Sequence, residues 1–267
     1  MSTSTNKEWN AEAYHRVSTP QQALGAKVLG RLDLAGDETV IDAGCGTGRL
    51  TAQLLEHLPH GRVIALDYSA NMLAQVREYL DSRFPGQVTY VEADLGKLDA
   101  SIVTGPVDLI FSTATFHWVL DHDRLFAGLA SLLKPGGKLV AQCGGGPNLA
   151  TLRVRGHALA LSEPFAAYFT DFQVPVYYAE PEETTNRLTR SGFTDITVWL
   201  EEAPTSLPDA ATYREFVSNV TFHNYVDRLP AGELRERFID TLVDYGAGDN
   251  PPFLLDYWRL NIDATRA

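Results

Sequence analysis

A short apolar run, Thr39-Val-Ile-Asp42, passes through Ala43 into Gly-Cys-Gly-Thr-Gly48, and a helical pattern follows on Leu50, Leu54, Leu55 and Leu58. A strand therefore runs into a glycine turn that opens a helix, the first unit of an α/β layer. Glycine accepts positive φ and lets a ligand approach the backbone closely, so Gly44, Gly46 and Gly48 prepare this strand end for a bound molecule. The spacing argues against two familiar ligands. A dinucleotide loop has its third glycine five residues after the first, where this chain has Arg49. A phosphate loop continues into Gly-Lys-Ser/Thr, which is absent here. Asp42, two positions before the first glycine, would repel a phosphate and attract an ammonium group.

Similar units follow in order. Arg62-Val-Ile-Ala-Leu66 reads as a buried strand ending in Asp67, with Ser69 placed to cap a helix that buries Met72, Leu73, Val76 and Leu80. An acidic residue about 20 positions beyond a glycine turn suits paired bonding to ribose hydroxyls. Gln87–Val91 leads to Glu92-Ala-Asp-Leu95, and Val107–Phe111 leads into Ser112-Thr-Ala-Thr-Phe-His-Trp118. A helix over Asp121–Leu133 and a turn at Lys134–Gly137 feed a fifth strand, Lys138–Cys143. Singly, these strand-end acids read as caps; in register, they gather at one edge of a parallel sheet.

The D-x-G-x-G-x-G spacing of residues 42–48, with Asp67 and Asp94 at the next strand ends, resembles the class I S-adenosylmethionine-dependent methyltransferases. The resemblance implies an α/β fold: a Rossmann-like seven-stranded methyltransferase sheet, helices on both faces, and an inserted helical cap. It implies S-adenosyl-L-methionine as cofactor, bound by Tyr14, Gln22, Asp42, Gly44, Cys45, Gly46, Asp67, Tyr68, Met72, Asp94, Leu95, Ser112 and Phe116. In the family, Asp94 would meet the adenine amino group, and Leu95 or Met72 would cover the ring. Trp9-Asn10, Tyr14, Gln21-Gln22 and Phe116-His-Trp118 sharpen the likeness to the branch containing trans-aconitate methyltransferase and juvenile-hormone-acid methyltransferase. Its members methylate carboxyl groups of small acids. Gln21 or Gln22 and Trp118 would then hold the acceptor with His117 beside them, and Gln22, His117 and Trp118 form the expected catalytic set.

That chemistry demands little. The sulfonium activates its own methyl group, and the protein chiefly aligns the partners and excludes water. A carboxylate is already ionised at pH 7, so no general base is required. No catalytic triad and no metal-ligand spacing is found in the chain. Two other readings stay open. N- or phenolic O-methylation of a secondary metabolite would use His117 as base. A non-catalytic, cofactor-binding regulatory protein would need neither.

Composition bounds the rest. The chain has 267 residues, 45% apolar and 21% charged, and a formal charge of −12 that argues against nucleic acid. No apolar stretch long enough for a membrane span and no export leader is present, so a cytoplasmic protein acting on a small-molecule substrate is expected. Cys45 and Cys143 end the first and fifth strands, about 10 Å apart at ~4.8 Å per strand, too far for a disulfide. The expected division is an N-terminal helical segment (1–36), a cofactor-binding core (37–143), a cap insertion (144–180), a core helix and strand (181–203), a second helical cap insertion (204–252) and a final strand (253–267). Gly144-Gly-Gly-Pro147 reads as a hinge. Arg153 and Arg155 read as solvated charges or acid ligands, and the aromatics from Phe165 to Tyr178 as pocket lining or cap core.

Overall fold

The computed structural model of the chain describes residues 19–267, with side chains from Leu24 onward. Trp9 and Tyr14 lie outside the described residues, as do the side chains of Gln21 and Gln22. Five parallel strands come first: β1 (Thr39–Ala43), β2 (Arg62–Asp67), β3 (Val88–Glu92), β4 (Val107–Thr113) and β5 (Leu133–Gly144). They are joined by β6 (Phe193–Glu202) and the last strand, β9 (Trp258–Arg266), in the order β3-β2-β1-β4-β5-β9-β6. Strand β9 runs antiparallel to both β5 and β6. Helices cover both faces, so the central strands are buried on both sides; Val40, Ile41, Ile110 and Phe111 are fully enclosed. This is the seven-stranded α/β sheet expected.

Local chemistry sets the helices. Helix α1 (Thr19–Leu29) is anchored just beyond its end, where Arg31 donates to the Asn261 side chain at 2.6 Å and to the Ala141 carbonyl at 3.1 Å. Helix α2 (Arg49–Glu56) starts from Gly48 at φ 76°. Helix α3 (Ala70–Leu80) is capped by Ser69, whose hydroxyl accepts the Met72 N–H at 3.2 Å. Helix α4 (His122–Leu132) is capped by Asp121. Helix α6 (Pro181–Arg190), after α5 (Ala150–Ala160), has proline in its first turn with Glu182 and Glu183, and arginines in its last.

The two insertions share one core. Helices α7 (Ala210–Phe216), α8 (His223–Arg228) and α9 (Glu233–Ala247) pack with α5 around Phe165, Phe169, Tyr225 and Phe238. Between α7 and α8 the backbone widens into a π-turn at Val217–Thr221.

Three expectations need correction. The final strand does not begin at Phe253. Leu254–Leu255 (β8) pairs instead with Thr205–Ser206 (β7), and Leu255 and Tyr257 are buried in the cap core. Residues 253–257 keep a strand's alternation because they pack, but against the cap and not the sheet. The turn expected at Lys134–Gly137 is absorbed into β5, which pairs with β4 at Val107 and resumes at Leu109 after a bulge. Gly144–Gly146 is no hinge. A Cβ on Gly144 would lie 2.6 Å from Tyr178 Cε1, and one on Gly145 would lie 2.4 Å from Leu260 Cβ. Glycine stands there because β5 is closely packed against its neighbours.

Candidate active site

The glycine loop folds back over β2. The Gly44 and Cys45 N–H groups both donate to the Leu66 carbonyl, at 2.8 and 3.0 Å. Gly44, Gly46 and Gly48 hold φ of 82°, 53° and 76°, a region other residues enter only under strain. A Cβ on Gly44 would strike the Thr115 side chain at 2.3 Å, whereas one on Gly46 would meet open space. The Gly46 and Ser69 amides each donate to one oxygen of Asp67, both at 2.9 Å, so its carboxylate is aimed in advance. Asp94 is aimed by the Gly96 N–H at 2.9 Å and pairs with Lys97 at 2.8 Å. A carboxylate oxygen that accepts one amide can accept a second donor as well.

Asp42 differs from these two. It is 3% exposed and accepts the Thr51 hydroxyl at 2.6 Å. Burial is the main force raising its pKa to about 7, the Thr51 bond opposes it, and the charge on Asp67 adds to the rise. No cation pairs with it among the described residues, which leaves it suited to a ligand's positive group.

A cavity of about 590 Å³ opens between the strand ends and the cap. Ala114 lines it, and the next residue, Thr115, packs on Gly44, so one residue separates cavity from glycine loop. Leu149, Val176, Val220, Phe222 and Tyr225 make much of the wall apolar. The polar groups include His117, Asn148, Arg153, Tyr178 and Arg259. No aspartate or glutamate is among the described residues of the wall, although the chain carries 34 acidic residues against 22 Lys and Arg. Ala114 and Leu149 hold positive φ, 55° and 54°, without being glycine, so the wall carries some backbone strain, as Asp195 and Phe253 do elsewhere.

His117 is fixed in one protonation state. The Gly144 amide donates to its Nδ1 at 3.3 Å. An amide can only donate, so Nδ1 presents its lone pair and the proton of the neutral ring sits on Nε2. Burial first, and the charge of Arg259 second, lower its pKa to about 3. The ring stacks on Tyr178 at 5.6 Å, and beside it Trp118 reaches His223 of the cap at 5.6 Å. Arg153 lies over Tyr178 at 4.6 Å and donates to the Asn148 carbonyl, whereas Arg155 pairs with Asp249 at 2.6 Å, away from the wall. The aromatic segment divides likewise: Phe165 and Phe169 are cap core, and Tyr178 lines the cavity.

Comparison with known proteins decides the family. A methyltransferase-domain family profile matches residues 40–137. The trans-aconitate 2-methyltransferase of Deinococcus radiodurans is 30% identical over 241 residues, 87% of each chain. The chain is a class I S-adenosylmethionine-dependent methyltransferase. It belongs to the branch that holds the trans-aconitate 2-methyltransferases. The enzyme of that name from Azoarcus sp. is 37% identical over 134 residues, 50% of each chain. Among solved structures, the methyltransferase shares its fold with the phosphoethanolamine N-methyltransferase 2 of Haemonchus contortus in complex with S-adenosyl-L-methionine, with TM-score 0.59 and 20% identity over 96% of this chain and 56% of that one. A cyclopropane synthase of Mycobacterium tuberculosis aligns with TM-score 0.56 and 23% identity over 92% and 84%.

The methyltransferase's cofactor is S-adenosylmethionine, and the residues present suit it. The space before Gly46 leaves room at the loop, the Asp67 carboxylate would suit ribose hydroxyls, and Asp42 would suit the cofactor's ammonium group. Met72 and Leu95 are buried beside these strand ends, and Tyr68 is half exposed. Two expected contacts are altered. The Ser112 hydroxyl is consumed by the Ala43 carbonyl at 2.7 Å, and the Phe116 ring is 1% exposed, packed edge-on to Phe126 in the main core. Ser112 would then offer the cofactor an acceptor or its backbone but no hydroxyl donor, and Phe116 its backbone. Cys45 and Cys143 are buried free thiols. No group of three metal-ligating side chains occurs among the described residues, and no described helix is long and apolar enough to cross a membrane.

Sequence reasoning missed Asn148 and the π-turn, both on the cavity wall, and had Tyr178 only within an aromatic stretch that could be pocket lining or cap core. It read Arg259 as a polar residue of a buried strand, paired to a carboxylate if to anything, and among the described residues no carboxylate pairs with it. A charged side chain inside an otherwise apolar strand was the available signal.

Proposed function

We propose that the methyltransferase transfers the methyl group to a carboxylate oxygen of a small organic acid. One observation carries the reading: the cavity beside the cofactor loop has arginines and histidines in its wall and no acidic residue among the described ones. An anion is the acceptor such a wall favours, and an ammonium acceptor would face uncompensated positive charge. Bound S-adenosylmethionine supplies a methyl group already activated on a sulfonium. The chain's own residues then have to orient the carboxylate, shield it from water and donate hydrogen bonds to it. His117 Nε2–H, held in that tautomer by Gly144, serves as such a donor. The same bond weakens the alternative in which His117 takes a proton from a phenol or an amine, because the lone pair a base needs is already engaged. The relatives named trans-aconitate 2-methyltransferase point the same way.

The test is a labelled methyl-transfer screen against mixed acids, phenols and amines, with product hydrolysed in base. A base-labile labelled product supports the carboxyl ester. A base-stable product overturns it.

A further inference from the structure

Arg259 stands at the start of β9, opposite Gly144 on β5 and Glu201 on β6. It is 4% exposed, and its guanidinium lies 4.0 Å over the Tyr257 ring. Among the described residues it has no ion pair and no side-chain hydrogen bond. Glu201, its neighbour in register, turns instead to Lys27 at 3.3 Å. Nε of Arg259 is sealed in protein without a partner, and the side chain lines the cavity. A buried guanidinium without an acid is costly, and burial is normally tolerated only with a counter-charge. The counter-charge is therefore to be sought in the ligand.

The remainder of the cavity has a different character. Away from the cluster of His117, Asn148, Arg153, Tyr178 and Arg259, the wall turns mainly to aliphatic and aromatic side chains, with His157, Thr221 and Asn224 as its other polar members. Val154, Leu161 and Val174 line the cavity while 69%, 55% and 37% exposed, so its rim is apolar as well. A volume of about 590 Å³ belongs to the class that encloses drug-sized ligands. A compact tricarboxylic acid would leave most of it unfilled and would set charge against apolar wall.

We propose that the acceptor is an amphipathic acid whose anionic end is bound by Arg259 and whose apolar body fills the cap cavity. The inference rests on the carboxyl reading above and narrows it. Arg259 is the specificity-determining residue: its charge selects an acid over an alcohol of the same shape, and the apolar wall selects a long or bulky acid over a compact polyacid.

The test measures binding to the full-length enzyme saturated with S-adenosylhomocysteine, which permits no turnover. Decanoate, decanol, butanoate and trans-aconitate are titrated calorimetrically into wild type, Arg259→Gln, Arg259→Lys and Val220→Trp. Decanoate is expected to bind at least about tenfold more tightly than decanol, the range for a charge-assisted hydrogen bond. Arg259→Gln is expected to erase that ratio, and Arg259→Lys to recover part of it, at unchanged S-adenosylhomocysteine affinity. Val220→Trp is expected to weaken decanoate and spare butanoate, which keeps the test sound should the arginine variants fold poorly. Equal binding of decanoate and decanol by wild type, a ratio unmoved in folded Arg259→Gln, or trans-aconitate binding more tightly than decanoate overturns the proposal. Its failure is separable from that of the carboxyl reading. Esterified trans-aconitate with no decanoate binding removes only the amphipathic acceptor. Arg259-dependent decanoate binding with a base-stable product in the methyl-transfer screen removes only the ester.

Discussion

The amide of Gly144 lies 3.3 Å from Nδ1 of His117 and donates to it, which turns the imidazole from a possible base into a donor. Had Nδ1 faced a carbonyl, the ring would carry its proton there and offer Nε2 as a base. The expected loss for His117→Ala in methyl transfer is about tenfold, the value of one hydrogen bond, and not the 10²–10⁴-fold typical of a lost general base. The pH profile of kcat should show no step near 6.5, since burial holds His117 neutral down to about 3. The sign for stability follows from the same shift. The unfolded chain takes up this proton below about 6.5 and the folded chain does not, so stability falls as pH drops from about 6.5 toward 3. Urea unfolding of wild type and His117→Gln at pH 7 and pH 5 checks it: wild type should lose about 2 kcal/mol more than the variant.

Asp42 has the opposite shift and the opposite slope. Its folded pKa of about 7 lies above the ordinary 3.8, so the ligand-free fold keeps a proton that the unfolded chain releases. Stability should decline as pH rises from about 4 to 7, by up to about 4 kcal/mol. Asp42→Asn should accordingly raise the Tm of the ligand-free enzyme at pH 8 while weakening S-adenosylmethionine, and wild-type affinity should tighten as pH passes 7. Calorimetry and thermal unfolding at pH 5 and 8 read both effects. A variant no more stable than wild type at pH 8 would refute the account.

Gly44 and Gly46 are two residues apart and should fail in different ways. Gly44→Ala forces a methyl group to 2.3 Å from Thr115. Overpacking of that kind costs about 1–3 kcal/mol, visible as a Tm loss of several degrees. Gly46→Ala meets no protein atom within 4 Å. It should lower Tm less and impair cofactor binding more, because its methyl group enters the space in front of the loop. Thermal melts and isothermal titration of the two variants make the comparison.

Asp67→Ala should weaken S-adenosylmethionine by about 10²–10⁴-fold, the worth of two hydrogen bonds to a charged acceptor at roughly 1.5–3 kcal/mol each. The carboxylate also holds the Gly46 and Ser69 amides, so the loop should loosen with it. Titration calorimetry measures the loss, and faster amide exchange at Gly46 measures the loosening. Unchanged affinity would mean that the ribose lies elsewhere.

The strands and the glycine loop were legible because each depends on neighbours in sequence, whereas the order of the strands in the sheet is a tertiary fact. Val40, Ile41 and Asp42 mark a buried strand and its end, Ser69 caps the helix that follows it, and positive φ needs glycine at positions 44, 46 and 48. The limit of β9 was not legible. Residues 253–257 alternate as a strand does, and only the cap that receives Leu255 and Tyr257 distinguishes them from sheet. The direction of the Phe116 ring was not legible for a related reason: a motif fixes where the backbone passes, while packing against Phe126 decides where the ring points.

Short-range patterning by itself determined the α/β class, the cofactor-loop geometry and the family, since hydrophobic period, caps and glycine spacing act over a few residues. The acceptor cavity was decided only by tertiary structure. Its wall joins His117, Asn148, Tyr178, Phe222 and Arg259 from five separate stretches of chain, and whether a charged group there has a partner depends on which side chains fold around it. Arg259 shows the difference: in the sequence it is one of the 22 basic residues, and in the fold it is a buried cation facing a cavity whose described wall holds no acid.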